Sequence, residues 1–325
     1  MALITRSETF DNVYTATQPL FLDDLRDNFF VGNPVLRRFY DNDAIINTEG
    51  GMDIRPAIEY GRLGSTRAIA RGEVIEPTPA QFMTRSRCEW AEYATPILVD
   101  NLEVNNNKGP QQMINLLTKT LEAMRKDMRF VINQDLFGDG SAWTGKALDG
   151  LQIQVEGTGA WSTLQGIDSA VETWWKNGYA VCGSFETNGA SKMAKAVASA
   201  SHNSADKPNI IVTTLDIYGY YEEYLRAHLI TSNTKSSDAG IETVTFKGIP
   251  LEYDDSCAAG MMYFLNTNAL KFYVHSEYNF TMLNRTPDGF FQPPNQDVRS
   301  ACIMLLCNFV ELERRRQYVL AGITA

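Results

Sequence analysis

Histidine, the commonest general base and metal ligand, is scarce in this sequence. Its three histidines, His202, His228 and His275, lie far apart, and none belongs to a His-Glu-x-x-His zinc motif. No Gly-x-Ser-x-Gly nucleophile elbow occurs either. We therefore expect no catalytic residue and no metal ligand, although a convergent site built from the many carboxylates would need no motif.

Three glycine-containing stretches come close to ligand-binding motifs and miss them. The stretch Gly183–Lys192 has the wrong glycine spacing for a phosphate loop. Gly138-Asp139-Gly140 lacks the third glycine of a dinucleotide fingerprint. Asp135–Gly140 hints at a calcium loop, but Phe137 and Lys146 occupy ligand positions. The sequence therefore predicts no cofactor.

Charge and cysteine content narrow the class of protein. The 325 residues carry a formal net charge of −10, whereas dedicated nucleic-acid-binding proteins present a basic surface. An acidic protein can still enclose DNA without gripping it. No signal peptide is visible, and the longest apolar run is too short to span a bilayer. The cysteines show no Cys-x-x-Cys spacing, which is typical of reduced thiols in a cytosol: Cys88, Cys182, Cys257, Cys302 and Cys307.

Two alternating segments predict a long, charged β-hairpin. From Met52 to Tyr60 every second residue is apolar or aromatic, and a second period-two segment runs from Phe82 to Trp90. A stretch rich in glycine and arginine lies between them. Nine residues at ~3.3 Å each project about 30 Å, and a two-stranded ribbon is marginal in water by itself. We expect a partner surface that holds this ribbon; a hairpin folded back on its own domain is the alternative.

The strongest helical pattern runs from Pro110 to Gly138. Proline suits the first turn of a helix and glycine its C-terminal end. At 1.5 Å per residue this helix would be about 40 Å long. A coiled-coil dimer is the alternative, but no second such helix follows. Apolar residues recur along it at spacings of four and three: Met113, Leu117, Leu121, Met124, Met128 and Val131.

The remaining pattern is an N-terminal segment and, from Gly145 onward, mixed α/β structure. The first forty residues, with a short helix at Leu20–Phe30, are interpreted as an arm that packs on something else, or as a frayed tail. Helices are predicted at Ile167–Lys176, Ala190–Ala200 and Leu215–Leu229. Strands are predicted at Asn209–Val212, Ile249–Tyr253, Met261–Leu265, Ala269–Val274 and Tyr318–Gly322, and a long apolar run covers Ala301–Val310.

Four short motifs follow one another in a recognisable order. Ala147-Leu148-Asp149-Gly150-Leu151 follows the long helix, and Leu164-Gln165-Gly166-Ile167-Asp168 precedes Thr173-Trp174-Trp175-Lys176-Asn177. Near the end, Arg314-Arg315-Arg316-Gln317 leads into Val319–Ile323. In these motifs and in the order of its elements, the sequence resembles the major capsid proteins of tailed double-stranded-DNA bacteriophages.

The resemblance implies an α+β fold and a division of the chain into four parts. These are an N-terminal arm at 1–43, an extended loop formed by the hairpin at 44–95, and a peripheral domain with the long spine helix at 96–146. The peripheral domain returns at 275–315. A mixed α/β axial domain covers 147–274 and is completed by the last strand at 316–325.

The resemblance also implies a structural protein and not an enzyme. Such a protein assembles as hexamers and pentamers into an icosahedral shell around packaged double-stranded DNA. Its expected partners are its own copies, a portal protein and a separate scaffolding or decoration protein, without a membrane. It would assemble in the bacterial cytoplasm and reside in the virion. An encapsulin-like nanocompartment shell is the closest alternative; another virion protein and an α/β enzyme with an unrecognised site are more distant.

Arginines of the hairpin are the candidate contacts between subunits, because a guanidinium pairs in a two-pronged manner with a carboxylate. Some relatives link their subunits covalently through a lysine in the extended loop. This sequence has no lysine before Lys108, so the hairpin would hold its neighbour non-covalently. Individual arginines could equally well only solvate the strand faces. The candidates are Arg62, Arg67, Arg71, Arg85 and Arg87.

Overall fold

A computed structural model describes residues 34–62, 64, 66–72, 74, 81–101, 123–124, 126–201, 206–228, 244–283 and 292–325. The predicted helix Leu20–Phe30 and the first half of the predicted helix Pro110–Gly138 lie outside these residues. Within the described part of the chain, no helix has the length and apolar character needed to cross a membrane.

The described residues form both strands and helices, in chain order. The strands are β1 (Ile45–Thr48), β2 (Ala57–Glu59), β3 (Met83–Arg85), β4 (Ala91–Asp100), β5 (Thr163–Leu164), β6 (Ile167–Asp168), β7 (Gly178–Ser184), β8 (Ile210–Thr213), β9 (Thr245–Phe246), β10 (Ile249–Tyr253), β11 (Met262–Leu265), β12 (Leu270–Met282), β13 (Val298–Glu311) and β14 (Tyr318–Thr324). The helices are α1 (Pro34–Asp41), α2 (126–136), α3 (Phe185–Ala200) and α4 (Leu215–His228), with single turns at Ala142–Gly145, Leu151–Gln154, Thr173–Trp175 and Arg314–Arg316.

The first sheet has four strands in the order β1-β12-β13-β4. Strand β13 lies between β12 and β4 and is antiparallel to both. Because neither face of this central strand is open to water, its sequence is a nearly continuous apolar run, as predicted at Ala301–Val310. The pairing of β12 with β13 shifts register between Val274 and Asn279. This irregularity breaks the period-two pattern, which is why the sequence predicted a strand that stops at Val274.

The second sheet has six strands in the order β7-β14-β11-β8-β10-β9. Its central strands are buried on both faces, and successive side chains enter different cores. Ile211 packs into a core shared with α3 and α4. Ile210 and Val212, from the same strand, pack into a larger core that also contains Phe272 and Phe309 of the first sheet. The two sheets are therefore joined by common apolar packing, and the predicted α+β class is confirmed.

Helix α1 packs in the larger core that the two sheets share. Its Val35, Leu36 and Phe39 are buried, and the ring of Phe39 lies 5.3 Å from that of Phe309. The resemblance places residues 34–41 in the arm, but Val35, Leu36 and Phe39 pack in the core of their own chain.

The C-terminal half of the predicted spine helix is α2. It ends at Leu136, and the backbone N–H of Gly138 donates to the carbonyl of Asp135, so the predicted stop is confirmed. Met128, Ile132 and Leu136 form its buried side at spacings of four. Val131, predicted on this side, is only half-buried.

The predicted helix at Ile167–Lys176 is wrong. Ile167 and Asp168 form β6 instead, and only Thr173–Trp175 turn helically. The Asp168 carboxylate accepts a hydrogen bond from the backbone N–H of Ala170 at 2.8 Å. Such a local side-chain bond stabilises a turn in place of a helix.

The predicted hairpin strands are also much shorter in the structure. Among the described residues of the hairpin, only β2 and β3 pair as a ladder, and an isolated bridge joins Ile54 to Cys88. The predicted alternation nevertheless holds at Ile54 and Ile58, which are both buried. Pro56 has no N–H to donate, and this limits the ladder between these two positions.

Gly150 tests the packing between α2 and the turn that follows it. An added Cβ would lie 2.4 Å from the carbonyl oxygens of both Asp135 and Gly138. We expect Gly150→Ala to lower the free energy of unfolding by about 1–3 kcal/mol, since the backbone must move to admit the methyl group. Gly219→Ala is the matched control: Gly219 lies inside α4 with open space around it, and we expect a gain of about 0.5–1 kcal/mol. Denaturant unfolding of both variants measures these changes. An unchanged free energy of unfolding in Gly150→Ala would contradict this packing.

Candidate inter-subunit site

The base of the hairpin is attached to the body of the molecule. Ile54 and Cys88 exchange two backbone hydrogen bonds of 2.9 Å. Their side chains pack against Val310 of β13, while Ile58 packs in a second cluster with Trp175. The backbone N–H of Arg87 also donates to the carbonyl of Gln165 at 2.9 Å. The base is thus folded back on its own chain, which was the alternative left open by the sequence.

A charged cluster lies beside the base. The Asp53 carboxylate is 2.6 Å from a guanidinium nitrogen of Arg55 and 3.0 Å from one of Arg87. The hydrogen bond from Arg55 lowers the pKa of Asp53, and the charge of Arg87 acts in the same direction. The carboxylate therefore stays ionised at neutral pH and holds the two arginines together.

The tip of the hairpin differs from its base in exposure. Every described residue from Gly61 to Gly72 is exposed to solvent. Arg62, Arg67 and Arg71 fall in this part, and no acidic residue occurs between Glu59 and Glu73. The tip therefore carries a local positive charge on a protein whose net charge is −10.

The five candidate arginines are all exposed, but the structure does not bring them into one cluster. Arg67 donates to the carbonyl of Val74 at 3.1 Å, which closes the tip on itself. Arg87 pairs with Asp53 and approaches Glu89 at 3.5 Å, so part of its charge is already used within the subunit. Arg85 ends β3, and Arg62 and Arg71 lie in the exposed tip outside the strands.

Arg314 lies at the junction of the two sheets, and its role was missed by sequence reasoning. It is 1% exposed, and its guanidinium donates to the carbonyls of Gln154 and Ile153 at 2.9 and 2.8 Å and to the Ser169 hydroxyl at 2.7 Å. Burial lowers the pKa of this arginine to about 10, so it remains a cation at neutral pH. The Trp175 carbonyl lies 3.4 Å from the same guanidinium, so Arg314 and one further motif of the sequence meet here. No local pattern distinguishes Arg314 from the exposed Arg315 beside it.

Glu311 is the buried acid of the same junction. Its side chain is fully buried at the end of β13, and burial raises its pKa to about 8. One carboxyl oxygen accepts from the Gln317 amide and from the backbone N–H of Glu313, each at 3.3 Å. The other oxygen has no hydrogen-bond partner among the described residues. Such a group is more stable when it is protonated.

A second buried polar group connects the hairpin to β13. The Asn308 amide donates to the Glu89 carbonyl at 2.7 Å and to the Asp149 carboxylate at 3.2 Å. The Cys88 thiol lies 3.3 Å from the same carboxylate. Burial raises the pKa of Cys88, so its thiol stays protonated and is a poor nucleophile. Burial also raises the pKa of Asp149. This arrangement fixes the hairpin to the sheet.

A groove of about 370 Å³ lies between β4, α2 and the turn at Trp143. Trp143 is 62% exposed and has a φ of 55°, and Thr144 beside it has a φ of 61°. Strained residues of this kind persist only where the surroundings hold them. Here the indole N–H donates to Asp135 at 3.1 Å. The groove is apolar at its centre and carries Glu92 and Asp127 on its lining.

The remaining candidate positions do not form a ligand site in the part of the chain that the structure describes. No group of three His, Cys, Asp or Glu side chains there is placed to hold a metal ion. His275 contacts the ring of Trp90 at 5.7 Å, and His228 ends α4. His202 lies outside the described residues. All five cysteines are free thiols.

Glu311 makes stability depend on pH. An unfolded glutamate titrates near 4.3, and the folded value is about 8, so the folded state binds this proton more tightly. Stability from this group is therefore complete below about pH 4 and is lost as the pH rises through 8. Wild-type protein should lose free energy of unfolding between pH 5 and pH 9. We expect this loss to be smaller by on the order of 2–4 kcal/mol in Glu311→Gln, whose side chain cannot ionise. Urea unfolding at both pH values measures the free energy of unfolding, with Glu313→Gln as the neighbouring control. The same dependence of this free energy on pH in wild type and Glu311→Gln would contradict the assignment.

Comparison with known proteins gives a result at the level of structure and not of sequence. No protein-family model and no curated protein matches this sequence. The chain is similar to a protein of the cyanophage A-1(L) capsid asymmetric unit, with a TM-score of 0.66 and 14% identity over 87% of this chain and 91% of that one. It is similar to the capsid of a native GTA particle, with a TM-score of 0.58 and 12% identity over 88% and 90% of the two chains.

An encapsulin is also similar. The holo-SrpI encapsulin complex from Synechococcus elongatus PCC 7942 matches with a TM-score of 0.53 and 10% identity over 86% of this chain and 84% of that one. At these identities the likeness establishes the fold alone. The resemblance drawn from the short motifs is thereby confirmed for the architecture: this protein has the α+β fold of phage major capsid proteins.

Proposed function

We propose that this protein is the major capsid protein of a tailed double-stranded-DNA bacteriophage, a structural protein without enzymatic activity. It assembles as hexamers and pentamers into an icosahedral shell in the bacterial cytoplasm and becomes part of the virion. The observation that carries the proposal is the fold shared with the cyanophage A-1(L) and GTA capsids over about nine-tenths of the chains. Copies of the same chain are the main partner; a portal protein and a scaffolding or decoration protein complete the particle.

The hairpin supports this proposal physically. Its tip is exposed from Gly61 to Gly72, and a two-stranded ribbon is marginal without a supporting surface. In a shell the neighbouring subunit supplies that surface. Arg62, Arg67 and Arg71 are the proposed contacts because carboxylates are plentiful on this acidic protein. Exposed acids such as Asp127 at the Trp143 groove are of the kind that these arginines would pair with.

The other two candidate arginines, Arg85 and Arg87, have different proposed roles. Arg87 is paired with Asp53 of its own chain, so we assign it first to the orientation of the hairpin base. Arg85 lies on β3 close to the body and remains a proposed contact at the rim of the interface. The absence of a loop lysine before Lys108 supports a non-covalent attachment at the hairpin.

The acidic composition suits a container for DNA. A net charge of −10 repels the phosphate backbone, so packaged DNA would lie near the wall without being bound to it. An encapsulin-like shell that encloses protein cargo is the second candidate, favoured by the similarity to the SrpI encapsulin. Both candidates are shells of the same subunit fold, and they differ in what they enclose.

Assembly is the first test. We expect the purified protein, alone or with a co-expressed scaffold, to sediment as pentamers, hexamers or closed shells and to give icosahedral particles in negative-stain micrographs. Nuclease-protected DNA in particles from infected or induced cells would support the phage proposal, whereas a protein cargo would support the encapsulin. A compact monomer under every assembly condition would contradict both.

The hairpin tip is the second test. Deleting residues 61–79 should leave a folded subunit that does not form shells, since the base attached through Ile54 and Ile58 remains. The triple variant Arg62→Gln, Arg67→Gln, Arg71→Gln removes the charges of the tip and keeps its length. We expect it to assemble only at a higher protein concentration and with a weaker dependence on salt. Arg37→Gln is the control for loss of an exposed arginine outside the hairpin, because Arg37 lies exposed on α1. Normal shells from the deletion would exclude the proposed role of the tip.

A further inference from the structure

An aromatic stack attaches the hairpin to the body at the edge of the exposed tip. The ring of Tyr60 is stacked on the ring of Trp174, with centroids 5.1 Å apart and planes 25° from parallel. The backbone N–H groups of Tyr60 and Gly61 donate to the carbonyl of Phe82 at 3.0 and 3.4 Å, so Tyr60 lies in the paired part of the ribbon. The described residues from Gly61 to Gly72 are all exposed.

Trp174 is itself held in place by the core. Its ring meets the ring of Trp175 edge-on at 5.5 Å, and its indole N–H donates to the Glu172 carboxylate at 2.5 Å. Trp175 is fully buried and donates to the carbonyl of Leu164 at 3.3 Å. The stack therefore connects the ribbon to a fixed platform.

A small rotation at this point is amplified at the tip. Arg67 and Arg71 follow Tyr60 by 7 and 11 residues, which allows a reach of at most about 25–35 Å. A rotation of about 10° around Tyr60 would then move these arginines by roughly 4–6 Å. Because an ion pair or hydrogen bond tolerates only a fraction of that shift, the direction of the hairpin decides which contacts can form.

We propose that the Tyr60–Trp174 stack sets the direction in which the hairpin leaves the subunit, and that Trp174 is a positioning residue for contact with a second copy of this chain. This inference rests on the proposed assembly role of the hairpin tip. The Asp53–Arg87 ion pair joins the two segments of the base to each other. Both rings of the stack are half-buried, so their removal opens no cavity inside the main cores. The stack therefore contributes more to orientation than to folding.

Motion of the tip in the isolated subunit is the first measurement. A fluorophore is attached at Thr66→Cys, which lies in the exposed tip, and its time-resolved anisotropy is recorded. Burial raises the pKa of the native thiols, including Cys182 and Cys302, and slows their labelling. We expect Trp174→Ala and Tyr60→Ala each to raise the undocked population by about two- to tenfold, the factor that corresponds to one aromatic pair. Trp174→Phe, which retains a ring, should stay near wild type.

Assembly of the same variants is the second measurement. We expect Trp174→Ala to lower the yield of closed shells several-fold while its melting temperature stays close to that of the control. The control is Tyr253→Ala, which removes a different aromatic pair, with Tyr218, far from the hairpin. Trp174→Phe should restore the yield, which a loss of folding stability alone would not explain.

The outcomes separate this inference from the proposed function. If deletion of residues 61–79 abolishes shells but Trp174→Ala and Tyr60→Ala assemble like wild type, the positioning role is overturned and the capsid proposal stands. Unchanged anisotropy in both alanine variants overturns it as well. If the deletion itself assembles normally, the role of the tip fails, and the positioning role fails with it.

Discussion

The crossing from β13 to β14 is the constraint on which the rest of the structure depends. Strand β13 is central in the four-stranded sheet, and β14 pairs with β7 and β11 in the six-stranded sheet. Only the turn around Arg314–Arg316 separates them. Arg314 is buried there, and its donors bond to backbone carbonyls and a hydroxyl instead of a carboxylate. Burying this charge costs desolvation energy, so its contribution lies in specifying one arrangement of the two sheets.

The same crossing positions the hairpin. Arg314 bonds to the Ser169 hydroxyl and lies close to the Trp175 carbonyl, and both groups belong to the turn that carries Trp174. On the other side, Asn308 of β13 bonds to the Glu89 carbonyl at the hairpin base. The base is therefore fixed through polar contacts to the junction of the sheets, while the described residues of the tip are exposed. A fixed base beneath an exposed tip is the arrangement that the proposed shell contact requires.

Three groups with perturbed pKa values lie at junctions of the fold. Glu311, Arg314 and Asp149 are buried where two parts of the chain meet, and each shift is explained by packing and hydrogen bonding. The described residues of the hairpin tip are exposed instead, and they include Arg62, Arg67 and Arg71. Buried polar groups thus connect the parts of this subunit, while the tip presents its arginines to solvent.

Local sequence patterns determined a large share of this protein, but not its junctions. The alternation around Ile54 and Ile58, the end of α2 before Gly138 and the apolar run of β13 follow from periods of 2 and 3.6 residues, which depend only on near neighbours. Tertiary structure alone decided that β13 pairs with β4, some 200 residues earlier in the chain. It also decided that Arg314 is buried while Arg315 is exposed, and that Ile167–Asp168 form a strand. Whether a side chain is buried, and whether it keeps its charge, depends on the distant segments that pack on it. The local periodicity of the sequence does not contain that information.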